Sequence, residues 1–206
     1  MKIITIIELD KKKKKIVLEN GECFALYCGE IRKYRLEEGI ELEDTIYQEI
    51  VDHVLTKRAK ERLLYLLKDS DKTEKQIREK LEAGYYPQTV IEKVITFGKN
   101  YHYIDDIRYA ENFIRGKKQK ISRKELEYKL LQKGVSKEIC RKLYFENETE
   151  EQGEEAALEQ LLQKKKVNFS EITQKEKQKL YTYFVRKGFP YDLIRKKVEE
   201  FESRDT

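Results

Sequence analysis

Apolar residues follow two different rhythms along this chain. Over the first 28 residues they come in short β-rich runs, at 3–9, 16–19 and 22–28. Asn20-Gly21 separates the second run from the third and predicts a hairpin, because a two-residue type I′ turn needs positive φ at both central positions. Phe24 and Leu26 then share one face of a strand, and Cys23, Ala25 and Tyr27 share the other. Glu37-Glu38-Gly39-Ile40 reads as another tight turn. From Asp44 onward the period changes to three and four. Ile46, Ile50, Val54, Leu55, Leu63, Leu66 and Leu67 form an amphipathic helical pattern that ends at the turn-forming Lys68-Asp69-Ser70-Asp71. The pattern leaves open whether this is one long helix or two with a bend near His53.

Beyond that point a short grammar occurs three times. A hydroxyl residue is followed three places later by Gln or Glu, as Thr73/Gln76, Ser122/Glu125 and Thr173/Glu176. Such a pair can close a capping box, the hydroxyl accepting from the N3 amide while the N3 side chain reaches back to the N-cap amide. A glycine then stops each helix: Gly84, Gly134 and Gly188, spaced by 50 and 54 residues. Glycine at this place supplies a left-handed C′ residue. A bulky residue follows (Tyr85, Val135, Phe189), and a second helix starts at Pro87, Ser136 or Pro190. Val90-Ile91, Ile139-Cys140 and Leu193-Ile194 then coincide. A preceding helix is expected at 59–68, 106–118 and 154–166, with Ala59, Ala110 and Ala157 at close-packed positions.

A repeat of this period predicts tandem helical modules. The expected fold is mainly α, a tandem array of three three-helix modules with a small N-terminal β-hairpin or three-stranded segment. The expected boundaries are 1–43 for the β segment, then 44–100, 101–149 and 150–206 for the modules. Short connections at 98–103 and 147–149 join them. His102, between two tyrosines, reads as a packed linker residue.

Composition sharpens the picture. Charged residues make up 40% of the 206 and apolar residues 39%, against typical values of about 25% and 45–50%. Each module therefore has a thin core and a solvated surface. The net charge of +5 hides a local imbalance. From Arg115 to Lys142 eleven basic side chains face three acidic ones, and residues 146–155 then carry six glutamates and no base. The tract Arg115, Lys117, Lys118, Lys120, Arg123 and Lys124 runs off one helix and into the next N-cap. With Lys133 it forms a candidate basic surface for a phosphate backbone or an acidic protein face. Ordinary solvated charge is the plainer reading. Arg186-Lys187 and Arg195-Lys196-Lys197 repeat the theme more weakly. The lysine run 11–15 reads as a turn, either solvated or touching phosphate.

Chemistry is sparse. Asp105-Asp106 is the one adjacent aspartate pair and reads as an N-cap with a first-turn acid for the helix bearing Tyr109, Ala110 and Phe113. There is no Walker loop, nucleophile elbow or HExxH motif. Three cysteines and two histidines show no metal-ligand spacing. No catalytic residue, no metal and no cofactor is expected, and the thiols are expected to be reduced in a cytoplasmic protein. The apolar N-terminus is too short for a membrane span.

The segment Ile104-Asp105-Asp106-x-x-Tyr109-Ala110-x-x-Phe113 resembles a motif of the RecX family, bacterial regulators of the RecA recombinase. Glu125-Leu126 leading to Gln132-Lys133-Gly134-Val135 resembles a second family segment, and the helix from Ser70 to Leu81 leading to Gly84-Tyr85 a third. The likeness covers about residues 54–206. It implies a curved array of three-helix modules that binds in the groove of the RecA–DNA filament and modulates, chiefly inhibits, recombinase and ATPase activity in DNA repair. Asp105, Asp106, Tyr109, Ala110, Phe113, Gly84, Gly134 and Gly188 are then structural motif residues, and the basic tract is the partner surface. The expected partner is the RecA filament, with weak single- or double-stranded DNA contact and no membrane, and the protein is expected to be a monomer. The competing reading is a direct DNA-binding protein whose modules act as helix-turn-helix readers.

Overall fold

The computed structural model describes residues 1–145, 150–165, 167 and 169–204. The chain divides into two compact units, Met1–Asp105 and Asp106–Thr206.

The first unit opens with a three-stranded antiparallel sheet in the order β1 (Ile3–Glu8), β2 (Lys13–Leu18), β3 (Cys23–Tyr27). Ile6 pairs with Ile16, and Ile16 with Phe24. The hairpin at Asn20-Gly21 forms with a different turn from the one expected. Only Gly21 has positive φ. Its amide donates to the Leu18 carbonyl, the Leu18 amide donates to Glu22 O, and Asn20 Oδ1 accepts from the Glu22 amide at 3.0 Å. This is a type I turn closed by a glycine bulge. The lysine run is not confined to a turn either. Lys13, Lys14 and Lys15 lie within β2, half-buried, where their aliphatic stems cover the sheet. A short helix that the β-rich pattern did not announce, α1 (Cys28–Lys33), follows β3 directly.

The long amphipathic stretch is one continuous helical run. It consists of α2 (Asp44–Glu49), a π turn over Ile50–Leu55 that contains His53, and α3 (Thr56–Leu67). Val51, Leu55, Ala59 and Leu63 are all buried at four-residue spacing. In a regular α-helix such a spacing drifts about 40° per step. The wider π turn absorbs part of that drift. α4 (Glu74–Glu82) and α5 (Gln88–Asn100) complete the unit. Ile3, Ile16, Phe24 and Leu26 share one core with Leu55, Leu63, Ile77, Leu81, Val90 and Val94. The sheet and the first three-helix set are thus a single hydrophobic body, with no gap in packing at residue 43.

Three further expectations about this unit change. Gly84 is not the left-handed residue of its stop: Tyr85 is, with φ 59°. The Tyr86 amide donates to Leu81 O, so the whole stop is displaced by one place and Tyr86 occupies the position held by Val135 and Phe189. Gly84 is needed for room instead, since a Cβ there would lie 2.9 Å from the Tyr86 ring. The connection expected at 98–103 is shorter, because Gly98, Lys99 and Asn100 belong to α5. His102 is exposed rather than packed, and with φ 54° it is the left-handed residue that ends α5.

The second unit contains α6 (Asp106–Lys117), α7 (Arg123–Gln132), α8 (Lys137–Phe145), α9 (Glu150–Lys164), a 3-10 turn at Phe169–Glu171, α10 (Gln174–Arg186) and α11 (Tyr191–Arg204). Helices α6 to α8 surround a small core of Ala110, Ile114, Leu126, Leu130, Val135, Cys140 and Leu143. Helices α9 to α11 surround Ala157, Leu158, Leu162, Phe184, Phe189, Ile194 and Val198, among others. Ala59, Ala110 and Ala157 are all fully buried, as their places in the repeat require. Gly134 and Gly188 have φ of 92° and 93°, and the Val135 and Phe189 amides close the two stops onto Leu130 O and Phe184 O. The connection expected at 147–149 lies outside the described residues.

Candidate functional site

The three capping boxes do not end alike. Thr73 with Gln76 and Thr173 with Glu176 make both reciprocal bonds. At the second copy Ser122 Oγ accepts from the Glu125 amide at 3.2 Å, but Glu125 turns along the helix to pair with Lys129 at 2.7 Å. A carboxylate from α9 meets the next amide instead, Glu154 Oε1 accepting from the Arg123 amide at 3.0 Å. The Ser122 hydroxyl then donates to the Lys187 carbonyl at 2.6 Å. The start of α7 is therefore held by the third module.

This arrangement sorts the candidate basic residues. Tyr109, Phe113 and Lys117 are spaced by four on α6 and so lie along one stripe. The Tyr109 and Phe113 rings stack at 6.3 Å with an 18° interplanar angle. Lys117 Nζ lies 5.7 Å from the Phe113 centroid. Lys133 Nζ, from the C-cap of α7, reaches the same ring at 5.8 Å. Two cations distant in sequence thus converge on one motif aromatic, each such contact worth about 0.5–1 kcal/mol at an exposed site. From sequence alone Phe113 reads as a structural motif residue and Lys133 as the tail of the basic tract. The four-residue spacing of 109, 113 and 117 was the signal for the stripe, whereas the arrival of Lys133 depends on the α6–α7 packing.

Arg115, Lys120, Arg123 and Lys124 are exposed, and Lys118 is half-buried. Among the described residues no carboxylate forms an ion pair with Arg115, Lys117, Lys118, Lys120 or Lys124. Arg123 and Lys124 face the third module. They line a groove of about 460 Å³ together with Glu154, Glu155, Pro190 and Lys196. The tract therefore has two sets of surroundings, the Phe113 stripe and the joint between the modules.

Several cations of the third module are paired within it. Lys196 and Lys197 pair with Glu155 at 3.0 and 3.5 Å, Lys197 also with Glu200 at 2.9 Å, and Arg204 with Glu159 at 3.2 Å. The hydrogen bond from Lys196 holds the Glu155 carboxyl below the usual carboxylate range. Within the acidic stretch, Glu154 thus holds the first turn of α7 and Glu155 pairs with α11.

Asp105 ends the first unit and Asp106 opens α6, both half-buried. Among the described residues no group of three or more His, Cys, Asp or Glu side chains could hold a metal ion, and no helix is long and apolar enough to cross a membrane.

Comparison with known proteins gives three matches in the order of the repeats. The RecX first three-helix domain matches residues 59–97, the second 105–142 and the third 153–198. A regulatory protein RecX of Caldanaerobacter subterraneus subsp. tengcongensis is 34% identical, covering 95% of this chain and 98% of its own. One from Clostridium botulinum (strain Eklund 17B / Type B) is 31% identical, covering 96% and 95%. Among solved structures, the crystal structure of a regulatory protein RecX aligns with a TM-score of 0.62 at 21% identity, covering 94% of this chain and 97% of that one. RecX from Lactobacillus salivarius aligns with the same TM-score and identity over 72% of this chain and 97% of its own. These two establish likeness of fold.

Proposed function

The chain belongs to the RecX family of regulatory proteins, and from that premise we propose that it binds the RecA–DNA filament and inhibits its recombinase and ATPase activity. In this reading the protein is a cytoplasmic monomer without catalytic activity of its own, and its modules add weak contacts through effective concentration. The observation that carries the reading is the convergence of Lys117 and Lys133 on Phe113, within the family-motif helix. A cationic and aromatic face of this kind suits an acidic or phosphate-bearing assembly, because cations desolvated against a ring still present N–H donors to an anion.

The test is co-sedimentation with RecA filaments, set beside bare single-stranded DNA at several salt concentrations. The Lys117→Glu/Lys133→Glu variant is expected to lose at least tenfold in filament affinity and in inhibition of strand exchange, with unchanged helix content by circular dichroism. Undiminished inhibition rejects this surface. Tight, steeply salt-dependent binding to naked duplex with no preference for the filament would favour helix-turn-helix reading of DNA instead.

A further inference from the structure

The first unit holds a second basic cluster, assembled from three elements that no sequence window brings together. Lys13 of β2, Arg58 and Arg62 of α3, and Lys80 of α4 line an open groove of about 500 Å³, with Tyr27 and Tyr86 at its walls. Glu61 is the one carboxylate in that lining. Arg58 is fixed: it donates to the Ala25 carbonyl at 3.2 Å, pairs with Glu30, and lies 4.6 Å from the centre of the Tyr27 ring. Lys13, Arg62 and Lys80 differ. Among the described residues none of the three has a carboxylate within ion-pair distance. Arg78, by contrast, pairs with both Glu74 and Glu92.

Lys13 is half-buried, and burial together with the nearby Arg58 pushes its ammonium below the ordinary lysine range. The fold thus holds several positive charges close together and leaves three of them without a salt-bridged carboxylate, with Asp10, Glu30 and Glu61 nearby. An anion entering the groove would relieve that repulsion and would be attracted in turn. Arginine forks, lysine ammoniums and tyrosine hydroxyls all donate, which matches the acceptor-only oxygens of a phosphate. Tyr27, 44% exposed, and the half-buried Tyr86 lie among these donors, and the half-buried Tyr85 next to Tyr86 has Lys15 Nζ 4.7 Å from its ring centre. Alternating cations and rings in an open groove are the chemistry by which proteins track a single-stranded nucleic acid, the cations on the backbone and the rings under the bases.

The geometry points to this groove as a phosphate-binding site for a single-stranded nucleic acid, separate from the surface of the second module. It does not rest on the filament reading, and it can be tested without RecA. The probe is a fluorescent oligothymidylate of about 20 nucleotides, long enough to span several cation contacts. Its anisotropy is measured with the full chain across a salt series. Arg62 and Lys80 are exposed, so Arg62→Glu/Lys80→Glu is expected to keep the wild-type melting curve while losing tenfold or more in affinity. Arg62→Gln/Lys80→Gln should lose less, and its salt slope should flatten by about 1.4, the effect of two lost contacts to a single strand. Unchanged affinity in both variants overturns the proposal. Equal competition by inorganic phosphate or thymidine monophosphate, compared per phosphate, would assign the groove to a free anion and overturn the strand. Stronger competition by a poly-glutamate peptide than by unlabelled oligothymidylate would overturn it in favour of an acidic protein segment.

Discussion

The Ser122 hydroxyl donates to the Lys187 carbonyl across 2.6 Å, joining the start of one module's middle helix to the end of the next module's. One side chain therefore caps α7 and satisfies a carbonyl at the C-cap of α10. Gly188, the neighbouring residue, has φ 93°, and a Cβ placed on it would meet Ser122 Oγ at 2.8 Å and Lys124 Cβ at 2.9 Å. Ser122→Ala is expected to destabilise the second unit by about 1–3 kcal/mol, through loss of a cap and of a cross-module hydrogen bond. Thr173→Ala removes an exposed cap alone and should cost about 1 kcal/mol. Gly188→Ala should cost at least as much as Ser122→Ala, since it combines strain with the clash. Urea unfolding of the three variants gives the ranking.

Gly98 sits at the last turn of α5, with Ile104 folded back over it. A Cβ there would lie 2.7 Å from Ile104 Cδ1 and 3.2 Å from Leu63 Cδ2. Gly98→Ala gains helix propensity of about 1 kcal/mol but overpacks the core by about 1–3 kcal/mol. Net destabilisation is expected, and Ile104→Val in the same chain should recover part of it. Thermal melts of the single and double variants check this.

Acid should weaken the first unit through Glu74. Burial alone would raise its carboxyl, but hydrogen bonds from Lys99 and Arg78 outweigh burial and hold it below the ordinary range. A folded value below the unfolded one gives stability that is fully present above the unfolded pKa of about 4.3 and is lost as pH falls through the folded value. Urea midpoints should therefore drop between neutral pH and about pH 3. Arg78→Gln should flatten that drop. An Arg78→Gln profile parallel to the wild type would contradict this account.

The three thiols should differ in reactivity. Cys140 is fully buried, and burial pushes its thiol pKa up, whereas Cys23 and Cys28 are half-buried. Thiolate supply and access both control alkylation. In iodoacetamide labelling read by mass spectrometry, Cys140 is expected to react only on unfolding, well after the other two.

Much of the architecture was legible because its signals are local. A hydroxyl three places before Gln or Glu, a glycine stop and a small residue at the crossing each act within one helical turn, so Thr73, Thr173, Gly134, Gly188, Ala59, Ala110 and Ala157 read correctly. What failed to read depends on distant partners. Gly84 looks like the other two stops, but Tyr86 packs against it and hands the left-handed conformation to Tyr85. Ser122 carries the same box as Thr73, yet Glu125 turns away to Lys129 and a carboxylate from α9 meets the Arg123 amide. Lysines 13–15 resemble a solvated turn because charge hides the strand register that Ile16 and Leu18 impose. Within the candidate surface, the stripe on α6 could be read from spacing. The approach of Lys133 to Phe113 could not, since it depends on how α7 crosses α6.

The π turn at Ile50–Leu55 sets local regularity against global fit. Removing one residue from it would restore an ordinary α-helix, the better structure for the isolated segment. Winding the same residues as an ordinary α-helix, with none removed, would instead rotate everything upstream by about 100° relative to α3. Tyr47 and Ile50 would swing off the sheet while Ala59 and Leu63 stayed seated among the helices. The irregular turn thus works as a phase offset between two packing directions, so that one helix can serve both the sheet and the helices of a single core.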